Sequence, residues 1–161
     1  MSMNLHLAQI NIGKIVGPME SPEMADFANN LNYINGLAES SPGFVWRLKD
    51  ESNNATSIKI FDDDFLIVNM SVWKSIDDLF NFAYKSEHLE FFKRRQEWFH
   101  KMTEAYMTMW YVDEHHVPDP QEGKERLMYL RKHGETPHAF TFRKRFTPEE
   151  YLNSPAPTLE K

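Results

Sequence analysis

Cysteine is absent from the 161 residues of the sequence. Disulfides, a thiolate nucleophile and cysteine metal ligands are therefore excluded, and the absence fits a reducing compartment. No apolar stretch approaches the ~20 residues of a membrane-spanning helix. The N-terminus also lacks the basic region and apolar run of a signal peptide. We therefore expect a cytoplasmic protein that does not enter a membrane.

An excess of positive charge is also missing. The 18 Lys and Arg residues are outnumbered by 24 Asp and Glu residues, which gives a net charge of −6 and a pI near 5.6. A nucleic-acid partner is not expected, because phosphate binding requires a basic face. Glycine-rich phosphate loops, nucleophile elbows and HExxH motifs are absent too. ATP use, Rossmann-type dinucleotide binding and serine hydrolysis are therefore disfavoured.

Aromatic residues are what the sequence has in excess. They make up 14% of the chain, as 12 Phe, 6 Tyr and 4 Trp, within a hydrophobic fraction of 41%. This supply is enough for one large core, and aromatic side chains often line small-molecule pockets. We predict a single domain over residues 1–153 and a flexible tail over residues 154–161, where Pro155 and Pro157 lie.

Hydrophobic periodicity and turn residues define the expected elements. Residues 5–12 alternate as a half-buried strand does, although a change of parity suggests a bulge or face switch near residues 8–9. Strands are predicted at 5–12, 44–48, 65–73, 105–112 and 138–146, with residues 57–61 as an edge strand or crossing segment. Helices are predicted to begin after Ser21, Ser75, Asp119 and Thr147, the second of them long or broken and extending to Phe99.

The order of these elements predicts an α+β fold with a ferredoxin-like βαββαβ core, followed by a C-terminal helix and strand. One face of such a sheet stays open unless something covers it. The strands are apolar on both parities, most clearly over residues 65–73. We therefore expect a homodimer whose two sheets pack face to face, a dimeric α/β barrel.

Several long motifs resemble a family of uncharacterised proteins in the dimeric α/β-barrel superfamily. The resemblance covers roughly residues 5 to 146 and is carried by residues 32–48, 69–73, Tyr84 with His88, 94–99, 125–134 and 136–142. It implies a relative of the antibiotic-biosynthesis monooxygenases and, more distantly, of spheroidene monooxygenase. Other members of the superfamily bind or degrade haem, dehydrate aldoximes or decolorise dyes. The family is a domain of unknown function, so it supplies no catalytic residues.

One loop departs from the pattern of that family. The family loop resembles Trp-Trp-Val-Pro-Ala-Gly-His, whereas this chain has Trp-Tyr-Val-Asp-Glu-His-His over residues 110–116. His116 keeps its place, but His115 stands where Gly is usual. A tight turn in this loop is therefore not expected from the resemblance.

The candidate catalytic residues are His88, Arg95 and Tyr84. On one helix, Tyr84 and His88 are four residues apart and Arg95 follows seven residues later, so the three share a face. A histidine can accept a proton near neutral pH or coordinate iron, and an arginine can hold a carboxylate or enolate. The alternative is an amphipathic helix whose histidine caps a carbonyl and whose arginine pairs with Glu90 or Glu97.

Candidate substrate-binding residues are Arg47, Trp73, Trp98, Trp110 and His116. A strand arginine on a buried sheet needs a partner, either a ligand anion or an acidic side chain of a second subunit. The tryptophans can stack on a flat ligand or belong to the core or dimer interface. His116 lies in a polar loop whose composition is typical of solvent exposure, and no metal site is predicted there.

Three functions remain open at this stage. The first is a monooxygenase-like enzyme without a cofactor, in which His88 is the base, Arg95 or Arg47 holds the anion and tryptophans exclude water. Its substrate would be a hydrophobic or aromatic small molecule. The second is a haem protein with His88 as ligand. The third is a non-catalytic dimeric module that binds a small ligand.

Overall fold

The computed structural model describes residues 4–49, 61, 63 and 65–154. Its elements follow in the order β1 (Leu5–Lys14), α1 (Ala25–Glu39), β2 (Phe44–Arg47), β3 (Leu66–Trp73), α2 (Ile76–Lys85), α3 (His88–Lys93), α4 (Arg95–Trp98), β4 (Met107–Asp113), α5 (Pro120–His133) and α6 (Pro148–Leu152). A 3-10 turn at Pro22–Met24 precedes α1. All of the predicted segment 57–61 except its last residue, and all of the tail except Ser154, lie outside the described residues.

The four strands form one antiparallel sheet with the order β2-β3-β1-β4. Together with the chain order β1-α1-β2-β3-α2-β4, this arrangement is the ferredoxin-like plan, and the predicted α+β fold is confirmed. None of the helices in the described part of the chain is long and apolar enough to span a membrane.

Strand β1 lies at the centre of the sheet and is buried on both faces. It pairs with β3 in an unbroken register from Leu7 opposite Trp73 to Lys14 opposite Leu66, so β1 has no bulge near residues 8–9. Of the two predicted alternatives, the face switch is the one that the structure shows. Leu7 packs in the cluster on one face, and Ile10 packs in the cluster on the other.

A bulge does occur in β2. A regular strand over residues 44–48 would place Phe44, Trp46 and Leu48 on one face, and this expectation from strand periodicity is wrong. The register with β3 shifts between Phe44 and Trp46, so that Phe44 lies opposite Trp73 while Trp46 lies opposite Val72. Neighbouring residues of β3 point to opposite faces. Phe44 therefore packs on the same face as Leu7, and Trp46 packs on the face of Ile10.

Helix α5 covers the face of the sheet that the sequence left open. An added Cβ at Gly123 would lie 2.9 Å from Ile10 Cδ1 and 3.1 Å from Met70 Sδ, so the glycine permits close approach of the helix. Ile10, Met70 and Val72 on this face are all buried within the single chain. The premise of a face-to-face homodimer is therefore removed, and the homodimer itself stays a prediction.

The prediction of a strand over residues 138–146 is wrong, because no continuous strand forms there. The chain makes only isolated bridges there, including a pair of backbone hydrogen bonds between Phe140 and Met109 of 2.8 and 3.0 Å. Thr136 and Thr141 are the reason. Their hydroxyl groups accept from backbone N–H groups two residues later, and such local bonds favour turns over an extended ladder.

The segment after β3 is a broken helix. Ser75 caps α2 as predicted, because its Oγ accepts from the backbone N–H of Asp78. Helix α2 ends before Ser86, whose backbone is extended and whose Oγ accepts from the N–H of His88 at 3.1 Å. A second interruption at Arg94 separates α3 from α4. Because of these breaks, the three short helices stay over the sheet. One continuous helix would extend beyond its edge.

Candidate ligand-binding cavity

A cavity of about 690 Å³ lies between the sheet and helices α1 to α4. This volume is in the range of small-molecule sites, which are mostly apolar with a few polar groups. Its walls are largely aromatic and aliphatic, and include Phe27, Leu31, Ile34, Phe82, Phe91, Phe92, Trp98 and Phe99. The excess of aromatic residues in the sequence is thus concentrated around one space.

The sheet supplies a polar floor to this cavity, formed by Gln9, Asn11, Asn69 and Ser71. Gln9 lies opposite Ser71 and Asn11 lies opposite Asn69 in the β1–β3 register. Gln9 Nε2 donates to Asn69 Oδ1 and to Ser71 Oγ, both at 2.8 Å, and Asn11 Nδ2 donates to Gln9 Oε1 at 3.0 Å. Gln9 is only 4% exposed, whereas Asn11 is half-buried and Asn69 is exposed, so the network runs from the interior to the open part of the cavity.

Sequence reasoning missed the polar floor. The available signal was the pair of polar residues at alternate positions in two central strands, Gln9 with Asn11 and Asn69 with Ser71. Alternating polar residues in a strand are usually assigned to solvent. Here they face a cavity that the helices enclose.

His88 projects into the cavity as a neutral imidazole. Its Nδ1 lies 3.0 Å from the carbonyl oxygen of Ala83, which can only accept, so Nδ1 carries the proton and Nε2 the lone pair. Burial lowers the pKa of His88, and the hydrogen bond to Ala83 opposes that shift only in part. The ring packs between Phe82 and Phe92, with centroids at 4.8 and 6.5 Å. His88 is therefore oriented as a proton acceptor.

Arg95 lines the same cavity with no acidic partner. Its guanidinium carbon lies 4.2 Å from the ring centroid of Tyr106 and 5.1 Å from that of Phe99. No hydrogen bond or ion pair is made to this guanidinium by the described residues. Burial lowers the pKa of Arg95, but arginine remains charged at any physiological pH. A cation stacked on aromatic rings is thus available to an anionic ligand.

The expected pairing of the helix arginine with an acid is made by Arg94 instead. Its Nη2 lies 2.7 Å from Asp26 of α1, and its Nε lies 2.8 Å from Glu97. Arg94 also stacks over the ring of Trp98 at 4.7 Å. The two adjacent arginines therefore have separate roles, because Arg94 joins elements at the surface while Arg95 faces the interior.

Tyr84, Trp73 and Trp98 are further predicted residues that line the cavity. Burial raises the pKa of Tyr84, so its phenol stays protonated at neutral pH. Trp73 is fully buried, stacks on Phe82 at 5.2 Å and donates from Nε1 to Ser71 at 2.8 Å. Trp98 is buried and lies beside Phe27. The continuous helix used to group Tyr84, His88 and Arg95 is absent, yet the broken helix brings them to one cavity.

Arg47 has its partner within the same chain. Both its Nε and its Nη2 lie 3.1 Å from Glu39 Oε1 of α1, and the arginine is 6% exposed. The expected ligand anion or second subunit is therefore not required to satisfy its charge. Arg47 still lines the cavity, where it joins α1 to the edge strand.

Trp110 and His116 are not among the residues that line this cavity. Trp110 lies opposite Ala8 in the register and so points to the α5 face. Its Nε1 donates to Glu122 Oε2 at 2.8 Å, and His116 Nε2 lies 2.6 Å from Glu122 Oε1. These two residues share an acid of α5 rather than a ligand with His88. They therefore lie outside the cavity of His88, and a substrate-binding role for them stays a prediction.

No group of three or more His, Asp or Glu side chains within the described ranges is placed to hold a metal ion.

The model of one protein family, Domain of unknown function (DUF3291), matches residues 6–155. The chain belongs to this family. The match confirms the resemblance to an uncharacterised family, and no curated protein matches this DUF3291 chain.

Two solved structures are similar to the DUF3291 chain in fold. One is a protein of Nitrosomonas europaea named as a candidate antibiotic biosynthesis monooxygenase, with 9% identity, a TM-score of 0.44, and coverage of 72% of this chain and 95% of that one. The other is PA3566 of Pseudomonas aeruginosa, with 14% identity, a TM-score of 0.42, and coverage of 71% and 96%. Neither likeness transfers a substrate or a residue role.

Proposed function

We propose that this DUF3291 chain binds a hydrophobic or aromatic small molecule in the cavity and acts on it as a monooxygenase-like enzyme. The observation that supports this function is that one aromatic cavity holds both a neutral histidine and an arginine without an acidic partner. His88 offers a lone pair on Nε2, and Arg95 offers a positive charge. A base beside an anion-binding group is the arrangement that forms and stabilises a substrate anion.

The reaction begins with proton transfer from the substrate to His88 Nε2. Arg95 holds the resulting anion, and the apolar walls exclude water, which strengthens that electrostatic interaction. An electron-rich aromatic anion can then reduce O2 without a bound cofactor. For a hydroquinone with a free ring C–H position, one oxygen atom enters the ring as the hydroxyl group of a hydroxyquinone, and the other oxygen leaves as water with two hydrogens of the substrate.

Oxygen consumption by the purified protein tests the proposal. We expect uptake of O2 with an aromatic hydroquinone, and a fall of about 10²–10⁴-fold in rate for His88→Gln, the usual contribution of a general base. Arg95→Gln should also slow the reaction, whereas Arg94→Gln is the matched control because that arginine pairs at the surface. A His88→Gln variant that kept the full rate would remove the proposed base.

Haem binding is a second candidate, favoured by the anchoring of His88. Histidines that bind metals usually donate their other ring N–H to a carbonyl or carboxylate, as Nδ1 of His88 does to Ala83. His88 Nε2 would then be the nitrogen that holds the haem, and bound haem would supply the redox chemistry. A Soret band on addition of haem that disappears in His88→Ala would support this candidate.

A colourless protein that consumes no O2, yet melts at higher temperature with an aromatic ligand, would be a binding module.

A further inference from the structure

The hydrogen bonds of the polar floor leave two groups without partners, one on each of two side chains that line the cavity. Gln9 is fully engaged, because both hydrogens of Nε2 are donated and Oε1 accepts from Asn11. Asn69 Oδ1 accepts from Gln9 and, at 3.2 Å, from Asn11. This leaves Asn69 Nδ2 as a donor and Asn11 Oδ1 as an acceptor, neither with a partner among the described residues. Both side chains line the cavity.

The two groups belong to neighbouring side chains and have complementary character. Asn11 and Asn69 lie directly opposite each other in the antiparallel register. Rotating the three amide groups together by half a turn preserves every bond in the network and exchanges the two roles. In both orientations one asparagine presents a donor and the other presents an acceptor. The floor therefore always offers a donor beside an acceptor.

Ser71 and Trp73 hold this pair in position from below. Ser71 Oγ contacts both Gln9 Nε2 and Trp73 Nε1 at 2.8 Å, and Ser71 is 7% exposed. Gln9 is thus held between Ser71 on one side and the two asparagines on the other. Fixed polar groups of this kind orient a ligand in an otherwise apolar site.

We propose that Asn11 and Asn69 recognise a flat ring system whose edge carries a carbonyl group next to an N–H or O–H group. The inference rests on the proposed function for the presence of a ligand in the cavity. No charged side chain belongs to the floor, so the recognised edge is neutral. Asn69 is exposed and Asn11 is half-buried, so their free groups are open to water before a ligand binds. A carboxylate would offer only acceptors, so on binding it would displace this water and leave the acceptor of the floor unpaired, which is costly. Arg95, by contrast, takes the anionic part of the same ligand.

Binding of two matched probes tests this assignment. The lactam 2-quinolone carries adjacent N–H and C=O groups, whereas N-methyl-2-quinolone has the same ring and carbonyl but no donor. Fluorescence titration of the tryptophans, with Trp73 beside the floor, gives both dissociation constants. We expect 2-quinolone to bind the unsubstituted protein about tenfold more tightly, the effect of one buried hydrogen bond.

Asparagine variants then separate hydrogen bonding from shape. Leucine resembles asparagine in shape, so a purely steric preference would survive Asn69→Leu and Asn11→Leu. We expect the preference to fall to about twofold or less in both, because the complementary pair is lost. Asn30→Ala is the control, since Asn30 lines the cavity from α1 while its amide donates to Asp26 O at 2.7 Å. Ser71→Ala, a change at a positioning residue, should reduce the preference and leave binding of N-methyl-2-quinolone unchanged.

The outcomes distinguish this inference from the proposed function. Equal binding of both probes, binding of neither, or a preference that persists in both leucine variants would overturn the role of the floor, whatever the oxygen assay shows. A preference that depends on the asparagines in a protein that never consumes O2 would support the floor and contradict the enzyme. Because the ratio is measured within each variant, a partly unfolded variant cannot imitate the expected result.

Discussion

At the scale of single residues, neighbouring side chains of the same type differ in role because of their partners. Arg94 binds two carboxylates at the surface, while Arg95 stacks on aromatic rings. Histidines differ in the same way. His116 contacts Glu122 at the surface. His138 is half-buried, and its Nδ1 lies 2.9 Å from Nη1 of Arg126. The type of residue alone therefore does not determine its electrostatic state.

His138 should make stability depend on pH. Burial and the neighbouring Arg126 lower the pKa of His138 from 6.5 to about 4. The unfolded chain therefore binds a proton first as the pH falls, so the contribution of His138 is complete above pH 6.5 and is lost progressively between pH 6.5 and about 4. We expect His138→Gln to lose less stability than the unsubstituted protein between pH 7 and 4.5, measured by urea unfolding.

The pH range above 7 provides the control for that experiment, because the contribution of His138 is complete there. In that range the unfolding free energies of His138→Gln and of the unsubstituted protein should change with pH in parallel. His88 has a pKa lowered in the same direction, so part of the pH dependence should remain in His138→Gln. An unaltered pH dependence in His138→Gln would show that its shifted pKa does not contribute to stability.

The sequence could predict only those site residues whose side chains are charged or titratable. Tyr84, His88 and Arg95 were found because titratable or charged groups on an aromatic segment are unusual. Asn11 and Asn69 were not found, because neutral amides in a strand have no such signature. Their importance follows from a hydrogen-bond network across two strands that lie about 60 residues apart in the chain, and local patterns do not show that pairing.

At the scale of elements, local signals decided where helices begin. Ser75, Asp119 and Thr147 each cap a helix as the sequence predicts, by accepting from a backbone N–H three residues later. Helix ends within 76–98 were not predicted, because Ser86 and Arg94 interrupt an otherwise favourable helical pattern. Short-range capping is readable from sequence, whereas a break that depends on packing against the sheet is not.

The Ser75 cap should have a measurable effect on stability. Ser75 Oγ accepts from the N–H of Asp78 at 3.2 Å, and α2 carries Phe82 and Tyr84 to the cavity. Ser75→Ala leaves that N–H without its partner, and we expect a loss of about 1 kcal/mol in the free energy of unfolding. Ser75→Asp keeps an acceptor at the N-cap and should retain most of it. Equal losses in the two variants would argue against the cap.

Two helical glycines form a matched pair for the packing of α5. Gly123 lies against Ile10 and Met70, whereas an added Cβ at Gly36 of α1 meets nothing within 4 Å. We expect Gly123→Leu to lose about 1–3 kcal/mol through overpacking, and Gly36→Leu to gain about 0.5–1 kcal/mol in helix propensity. Chemical denaturation of both variants measures the difference. A gain of stability in both would mean that α5 does not need to approach the sheet closely.

At the scale of the whole molecule, the chain covers both faces of its sheet by itself. Helices α1 to α4 lie over one face and enclose the cavity, and α5 lies over the other. The strand order was predictable, because periodicity and turn residues define the elements and few topologies connect them. The place of α5 was not, because periodicity shows that Ile10 and Met70 are buried but not which element buries them.

Because α5 of the same chain covers this face, dilution of the protein should not expose the sheet. If α5 of the same chain protects the face that carries Ile10, Met70 and Val72, hydrogen exchange of the backbone amides in β1 and β3 should not depend on protein concentration. We expect equal protection at micromolar and at hundredfold higher concentration, with native mass measured alongside to report any homodimer. A homodimer built through the sheets would lose protection in these strands as it dissociates. Protection that falls on dilution would therefore restore the face-to-face dimer, and constant protection in a protein that still dimerises would assign the interface to another surface.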